Sequence, residues 1–268
     1  MSRLLRRCLV VLVLAGGASL SAAASVQLEE LTWTELQARI KAGTTTVLLP
    51  VGGTEQNGPH MALGKHNVRV RALAALIAER LGNAVVAPVL AYVPEGAIDP
   101  PTQHMRWPGT ISIPEAAFQA TLEGAARSLR QHGLCQVVLL GDHGGYRNSL
   151  SRVAARLNRE WAASACRVHA LPEYYRALSS DFDSALTAKG YAKAEIGSHA
   201  GLADTSLTLA IAPSLVRGEA LVRKATGPDG VAGDPARASA ELGRPGIAHI
   251  VEATVAAIQA ATQTSHTR

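Results

Sequence analysis

The amino-acid sequence predicts an α/β fold, a three-layer α/β/α sandwich with a mostly parallel central sheet. Segments with the periodicity of amphipathic helices alternate with short apolar runs, which is the pattern of repeated βα units. The nearly continuous apolar run "CQVVLLG" is typical of a strand that is covered on both faces. The 268 residues are 47% hydrophobic and 18% charged, a composition that can bury a large core and excludes a disordered chain. We therefore expect residues 25–268 to form a single domain without linkers or internal repeats.

The N-terminus predicts a secretory signal peptide over residues 1–24. A basic start with Arg3, Arg6 and Arg7 precedes the apolar run "CLVVLVLAGG", and "SAAAS" offers small residues for cleavage after Ala24. An uncleaved N-terminal anchor is the alternative. No later run of about 18 apolar residues occurs, so the mature protein is expected to be periplasmic or secreted, with no stable membrane insertion.

The charge distribution argues against a nucleic-acid partner. The full chain has 26 basic and 21 acidic residues, and three of the basic ones are arginines of the predicted leader. The mature chain therefore carries a net charge of only +2. Its basic residues are scattered, and the aromatic content is 4%, so no basic stripe with interleaved aromatic residues is present.

Capping and turn signals predict the first elements in order. "LTWTELQARIKAG" carries a capping box of Thr32 and Glu35 and ends at Gly43, which predicts a helix. A strand follows over residues 45–51. "VRVRALAALIAERLG" predicts an amphipathic helix that ends at Gly82, and "NAVVAPVLAYV" predicts the next strand.

The second half of the chain continues the same alternation. After the loop "PEGAIDPPTQHMRWPGT", a helix begins near Pro114 and ends at Gly133. "CQVVLLG" predicts a strand, "YRNSLSRVAARLNREWAAS" a helix and "CRVHAL" a strand. "ADTSLTLAIAPSLV" and "PGIAHIVEATVAAIQAAT" predict two further helices.

Two cysteines remain in the mature chain, and each comes just before a predicted strand. Cys135 and Cys166 could form a disulfide in an oxidising compartment if the two strands are neighbours. Two buried thiols are the alternative.

Polar residues follow two of the predicted strands directly. "GGTEQNGPH" comes after the first strand, and "DHGGYRN" comes after "CQVVLLG". Because ligands bind beyond the carboxyl ends of parallel strands, we expect Glu55 and His143 to converge there.

Five motifs, in the same order and with similar spacing, resemble the creatininase (creatinine amidohydrolase) family from about Trp33 to the C-terminus. "GGTEQNGPHMALGKH" resembles the family's "GSTEQHGPHLPLGTD", and "QHMRWPGTISI" resembles "EHxxFPGTISL". "GDHGGY" is similar to "NGHGGN", "HAGLADTS" to "HAGxxETS" and "GVAGDPARASAELG" to "GVxGDPxxASAExG".

The resemblance implies an amidohydrolase with two zinc or manganese ions that assembles as a homo-oligomer, commonly a hexamer. Carried over by position, Glu55 and His143 match ligands of the first metal, and Asp204 matches an acidic ligand of the second. Two positions depart from the family. Asn57 stands where a His ligand belongs, and His66 replaces an Asp that bridges the two metals.

These departures predict one divalent metal per protomer rather than two. An imidazole cannot bridge two cations as a carboxylate does, and the amide of Asn57 is a weak ligand for zinc. Glu55, His66 and His143 remain as a set of two His and one carboxylate, which is typical of a catalytic zinc with an open position.

Other residues receive supporting roles in this hypothesis. Asp204 is the candidate general base, and Asp142 is either a further ligand or a residue that orients a ligand imidazole. His104 lies where the family pattern places a residue near the substrate, and His199 is expected either to contact substrate or to satisfy backbone groups. Lys65 argues against a metal at His66 unless its ammonium group points away.

We expect a secreted or periplasmic hydrolase that cleaves a carbon-nitrogen bond of a small, possibly cyclic amide with metal-activated water. The alternative is a catalytically inactive family member that binds a ligand or forms an assembly.

Overall fold

The computed structural model describes residues 25–221 and 229–266. The predicted leader, residues 1–24, lies outside the described residues. Within them, no helix is both long enough and apolar enough to cross a bilayer.

The predicted fold class is confirmed, because four parallel strands form one sheet in the order β2-β1-β3-β4. The strands are β1 (Thr46–Val51), β2 (Ala84–Val86), β3 (Gln136–Gly141) and β4 (Arg167–Ala170). The central pair is in register from Thr46 opposite Gln136 to Val51 opposite Gly141, so β1 and β3 end at the same level.

Ten α-helices surround the sheet in the described part of the chain. They are α1 (Trp33–Lys41), α2 (Lys65–Leu81), α3 (Glu115–Gln131), α4 (Arg147–Glu160), α5 (Pro172–Arg176), α6 (Phe182–Ala188), α7 (Lys193–Ile196), α8 (Leu202–Ile211), α9 (Gly218–Leu221) and α10 (Ala240–His266). A π-helical segment, Ala177–Asp181, joins α5 to α6.

The core has two halves, one on each face of the sheet. Leu48 points from β1 into a cluster with α2, α8 and α10, while Val47 and Leu49 point into a cluster with α3 and α4. This alternation along a fully buried strand creates the three layers.

Several boundaries differ from the predictions for local reasons. The predicted strand "NAVVAPVLAYV" is regular only over Ala84–Val86, because Pro88 cannot donate a hydrogen bond to the sheet. Beyond it, single parallel bridges link Val51 to Leu90 and Val93 to Ser112. Helix α2 begins at Lys65, three residues before the predicted start, so its first turn carries polar residues of the "GGTEQNGPHMALGKH" motif.

Cys135 and Cys166 form a disulfide. The two residues precede the neighbouring strands β3 and β4, and the amide of Arg167 donates to the Cys135 carbonyl at 2.8 Å. Of the two alternatives left by the sequence, the structure therefore contains the disulfide.

Candidate metal centre

The carboxyl ends of β1 and β3 place Glu55 and His143 side by side. One oxygen of Glu55, Oε2, lies 3.6 Å from His143 Nε2. The Tyr146 hydroxyl fixes the two loops, because it lies 2.8 Å from the Val51 carbonyl oxygen and accepts from the His143 amide at 3.1 Å.

Four side chains form a group that could hold one metal ion, and we call it the metal-ligand group. Its members are Glu55, Glu95, His104 and His143, and each offers one ligand atom within 4.8 Å of the others. Glu55 Oε2 is 3.3 Å from His104 Nε2, and Glu95 Oε2 is 3.5 Å from His143 Nδ1.

The carboxylate oxygens of this group lack partners. Glu55 and Glu95 are both buried, yet apart from a contact between the two carboxyl groups themselves, Glu55 Oε2 and both oxygens of Glu95 accept no hydrogen bond from the described residues. Leaving such atoms buried is costly, and a cation would satisfy all three. Two carboxylates and two imidazoles are suitable ligands for zinc or manganese, so the residues present fit a divalent metal.

Burial also keeps the two imidazoles of the metal-ligand group uncharged. It lowers the pKa of His143 to about 3 and lowers the pKa of His104, although the charge of Glu55 partly opposes both shifts. Both rings are therefore neutral at physiological pH, which is the form that binds metals.

The pKa values of the two carboxylates move in opposite directions. Burial, followed by the charge of Glu55, raises the pKa of Glu95 to about 9. Burial also opposes ionisation of Glu55, but His66 and Lys65 outweigh it and hold the pKa of Glu55 below its usual range. Without a metal, Glu55 is therefore the anion and Glu95 the neutral acid.

His66, a predicted ligand, lies beside the metal-ligand group and outside it. Its Nε2 is 2.8 Å from Glu55 Oε1, and its Nδ1 is 2.6 Å from Asp142 Oδ2. Both ring nitrogens thus face carboxylates, a geometry that orients Glu55. Asp142 contacts the imidazole of His66, which is not a member of the metal-ligand group.

Asn57 is also outside the group, although it is completely buried. Its Nδ2 donates to the backbone carbonyl of Glu55 at 2.9 Å and to that of Ala62 at 3.2 Å. These bonds shape the loop that carries Glu55.

Asp204, the candidate base, is held by two cations. It accepts a hydrogen bond from Lys65 Nζ and another from Arg69 Nη1 at 2.6 Å. Burial alone would raise the pKa of Asp204, but Lys65 and Arg69 hold it well below its usual value. A carboxylate bound in this way is a weak proton acceptor.

Lys65 is therefore paired, through its ammonium group, with Asp204, a partner that the sequence did not indicate. Its ammonium group is 3.9 Å from Glu55 Oε1, whereas the metal-ligand group lies on the Oε2 side of the same carboxylate. Arg69, completely buried on the next turn of α2, contacts Asp142 Oδ2 at 2.8 Å as well as Asp204.

His199 lies next to His104 and contacts the loop of Glu55. The two rings are 4.5 Å apart, and His199 Nε2 is 2.9 Å from the Gln56 carbonyl oxygen. Its Nδ1 is 3.7 Å from Glu55 Oε1, and burial lowers the pKa of His199 to about 4. The Gln56 side chain contacts both rings through Nε2, at 3.1 Å from each.

A pocket of about 210 Å³ opens beside these residues, and we call it the inner pocket. The pocket is lined by His143, His199, Lys65 and Asp204. Residues of α6, α7 and α8 also line it.

Glu95 is the site residue that the sequence analysis missed. It follows "AYVP" at the end of the second predicted strand, where the rule used for Glu55 and His143 would have selected it. Its approach requires Gly53, which has φ +153° and where a Cβ atom would lie 2.7 Å from Glu95 Oε1.

Comparison with known proteins gives consistent matches. A family profile described as creatinine amidohydrolase matches residues 29–258. The chain is 34% identical to a creatinine amidohydrolase of Pseudomonas putida over 199 residues, which cover 72% of this chain and 74% of the relative. It is 32% identical over 187 residues to a mycofactocin precursor peptide peptidase of Mycolicibacterium smegmatis, covering 68% of this chain and 64% of the relative, slightly under two thirds. A solved structure described as creatininase Mn aligns with a TM-score of 0.73 and 30% identity, covering 89% of this chain and 99% of the other.

Proposed function

This chain belongs to the creatininase family, and on that premise we propose that it is a metal-dependent hydrolase that cleaves a carbon-nitrogen bond of a small amide. The observation that carries the proposal is the metal-ligand group, in which three buried carboxylate oxygens lack partners beside two neutral imidazoles. The matched relatives are described as an amidohydrolase and a peptide peptidase, and both names denote cleavage of such bonds.

We assign one zinc or manganese ion to Glu55, Glu95, His104 and His143. A divalent metal at such a site supplies Lewis acidity, since it lowers the pKa of a water molecule and polarises a carbonyl group. His104, expected from the sequence to contact substrate, becomes a ligand in this assignment.

The charges around the site support our proposal of one metal rather than two. Asp142 faces Arg69, and Asp204 faces both Arg69 and Lys65, so these carboxylates already have cationic partners. A second divalent cation would have to displace Lys65 from Asp204 and sit beside the Arg69 guanidinium group.

The remaining residues position groups and move protons. His66 contacts Glu55 Oε1, the carboxylate oxygen that faces away from the metal-ligand group, and so orients Glu55. Asp142 contacts the other ring nitrogen of His66 and so orients the imidazole. His199 is better suited to proton transfer than the predicted base Asp204, because its neutral imidazole lines the inner pocket whereas Asp204 is neutralised by two cations.

Metal content is the direct test of the proposal. Mature protein purified without chelators or a polyhistidine tag should contain about one zinc or manganese ion per chain by plasma mass spectrometry. His143→Ala should lose the ion, and His132→Ala, at an exposed histidine at the end of α3, should keep it. Unchanged metal content in His143→Ala would remove that residue from the centre.

The second candidate is a ligand-binding or assembly-forming protein without catalysis. The pairing of Asp204 with Lys65 and Arg69 favours it, because the predicted base is neutralised. Absence of metal after incubation with zinc and manganese, together with no cleavage across a panel of linear and cyclic amides, would select this candidate.

We propose further that the protein works in the periplasm or outside the cell and forms a homo-oligomer. The leader-like N-terminus and the Cys135–Cys166 disulfide support the location, because disulfides persist in oxidising compartments. The hexameric state rests on the family resemblance and is tested by sedimentation of the mature protein. Detection of the unprocessed chain in the cytoplasm alone would contradict the location.

A further inference from the structure

The inner pocket has a second polar wall, formed by Asp183 in the first turn of α6. Asp183 also lines an adjoining larger cavity of about 800 Å³, together with Ile196, Gly197 and Ser198, which are shared by both spaces. His143 lines the inner pocket but not the larger cavity. Asp183 therefore stands where the inner pocket meets the larger cavity, apart from the metal-ligand group.

The Asp183 carboxylate differs from the other acids of the inner pocket. Asp142 and Asp204 each face buried cations. Asp183 has no ion pair and no side-chain hydrogen bond with any residue that the structure describes, Lys193 of the larger cavity included. It is half-buried, so its charge is accessible to a ligand but only partly screened by water. Burial, reinforced by the charge of Asp204, raises the pKa of Asp183 to about 6.

The inner pocket also has an apolar wall, which lies beside the mutually paired charges of Lys65, Arg69, Asp142 and Asp204. Leu178, Ala203 and Leu207 line the inner pocket, and His143 is neutral for the reason given above. Leu178 belongs to the π-helical segment before α6, and such segments are frequent at functional sites. A ligand that fits these walls has a carbonyl group at one end, an aliphatic middle and a positive charge at the other end.

We propose that Asp183 is a specificity-determining residue that binds the positively charged nitrogen of an aliphatic amide substrate while the amide lies at the metal-ligand group. This inference rests on the proposed hydrolase function, since it names the substrate class of the same site. It restricts the substrate to amides that also carry an ammonium group.

The test compares two amides of equal size, 4-aminobutanamide, which carries an ammonium group, and pentanamide, which does not. Binding to the mature, zinc-loaded protein is measured by calorimetry at about pH 8, where an acid with a pKa of about 6 is ionised. We expect the wild-type protein to bind 4-aminobutanamide about tenfold more tightly than pentanamide, the size of one charge-assisted contact. In Asp183→Asn the two affinities should become equal.

Asp181→Asn is the matched control, because Asp181 lies two residues earlier but pairs with His249 at 3.2 Å and with Arg176 at 3.6 Å, outside the inner pocket. It should keep the wild-type preference. In the wild-type protein the preference should also decrease as salt is added. Equal binding of both amides by the wild-type protein, no binding of 4-aminobutanamide, or an unchanged preference in Asp183→Asn would each overturn the proposal.

Metal content and amide cleavage are measured on the same samples, so the two proposals fail separately. Absence of the charge preference in the wild-type protein, or its persistence in Asp183→Asn, with metal and cleavage intact, would reject only the role of Asp183. A retained preference without metal or cleavage would reject the hydrolase and leave Asp183 as the cation-binding residue of a binding protein.

Discussion

Metal affinity should depend on pH through Glu95. Burial and the nearby charge of Glu55 raise the pKa of Glu95 to about 9 in the metal-free protein, so at about pH 7 this carboxyl group carries a proton. A metal ligand must be ionised, and metal binding therefore has to displace that proton. The affinity is expected to fall as the pH decreases below about 9 and to level off above it.

The size of the effect follows from the distance between the pH and the pKa. At about pH 7 the pH is about two units below the pKa of Glu95. Removing the proton at that pH costs about 3 kcal/mol and weakens metal binding by about a hundredfold relative to about pH 9. His104 and His143 add little to this dependence, because burial already keeps both rings neutral over that range.

Calorimetric titration of zinc into metal-free protein measures the protons directly when it is repeated in buffers of different ionisation enthalpy. The wild-type protein should release about one proton per zinc from Glu95 at about pH 7. Glu95→Gln should release none from this position and should bind zinc more than about a hundredfold more weakly. Glu123→Gln, at a buried glutamate paired with Arg156 on the far side of the sheet, should behave like the wild-type protein. Affinity independent of pH from about 7 to 9, or the same proton release in Glu95→Gln, would refute the reasoning.

Three further predictions test the surroundings of the centre. His66→Ala should keep the metal but weaken its binding by about 10- to 100-fold, as expected for a residue that orients a ligand; complete loss at saturating zinc would make His66 a ligand after all. Arg69→Met should lower the free energy of unfolding in urea by about 3–5 kcal/mol because it leaves two carboxylates without their buried cation, whereas Arg71→Met, at an exposed ion pair, should cost less than about 1 kcal/mol; equal losses would argue against the network. Replacing Cys135 and Cys166 together by Ala should cost about 2–5 kcal/mol in the same assay, and an unchanged unfolding midpoint would contradict a stabilising role for the disulfide.

The fold could be predicted from the sequence because its signals are local and repeated. The capping box of Thr32 and Glu35 begins α1, and the left-handed Gly82 ends α2, as expected. The predictions failed where a local rule competed with the periodic pattern, as at Pro88, which ends β2 early. The segment with α5, the π-helical segment, α6 and α7 was not predicted, since its helical pieces are too short to show a clear period.

The site was predictable to the extent that strand ends determine it. Glu55 and His143 were brought together by the rule on parallel strands alone. The partners of His66 and Asp204 could not be predicted, because they depend on how the first turn of α2 meets the start of α8 across the end of β3. Such contacts are tertiary, and no spacing along the chain encodes them.

The spread of the metal-ligand group along the chain has a consequence for biogenesis. Its members come from positions 55, 95, 104 and 143, and they meet only after β1 and β3 have paired and the loop with Glu95 has closed over Gly53. Contacts between residues so far apart in sequence form late in folding. Metal loading should accordingly follow folding. With the export that we propose, the ion acquired would reflect the metal supply of the compartment in which the chain folds rather than that of the compartment in which it is synthesised.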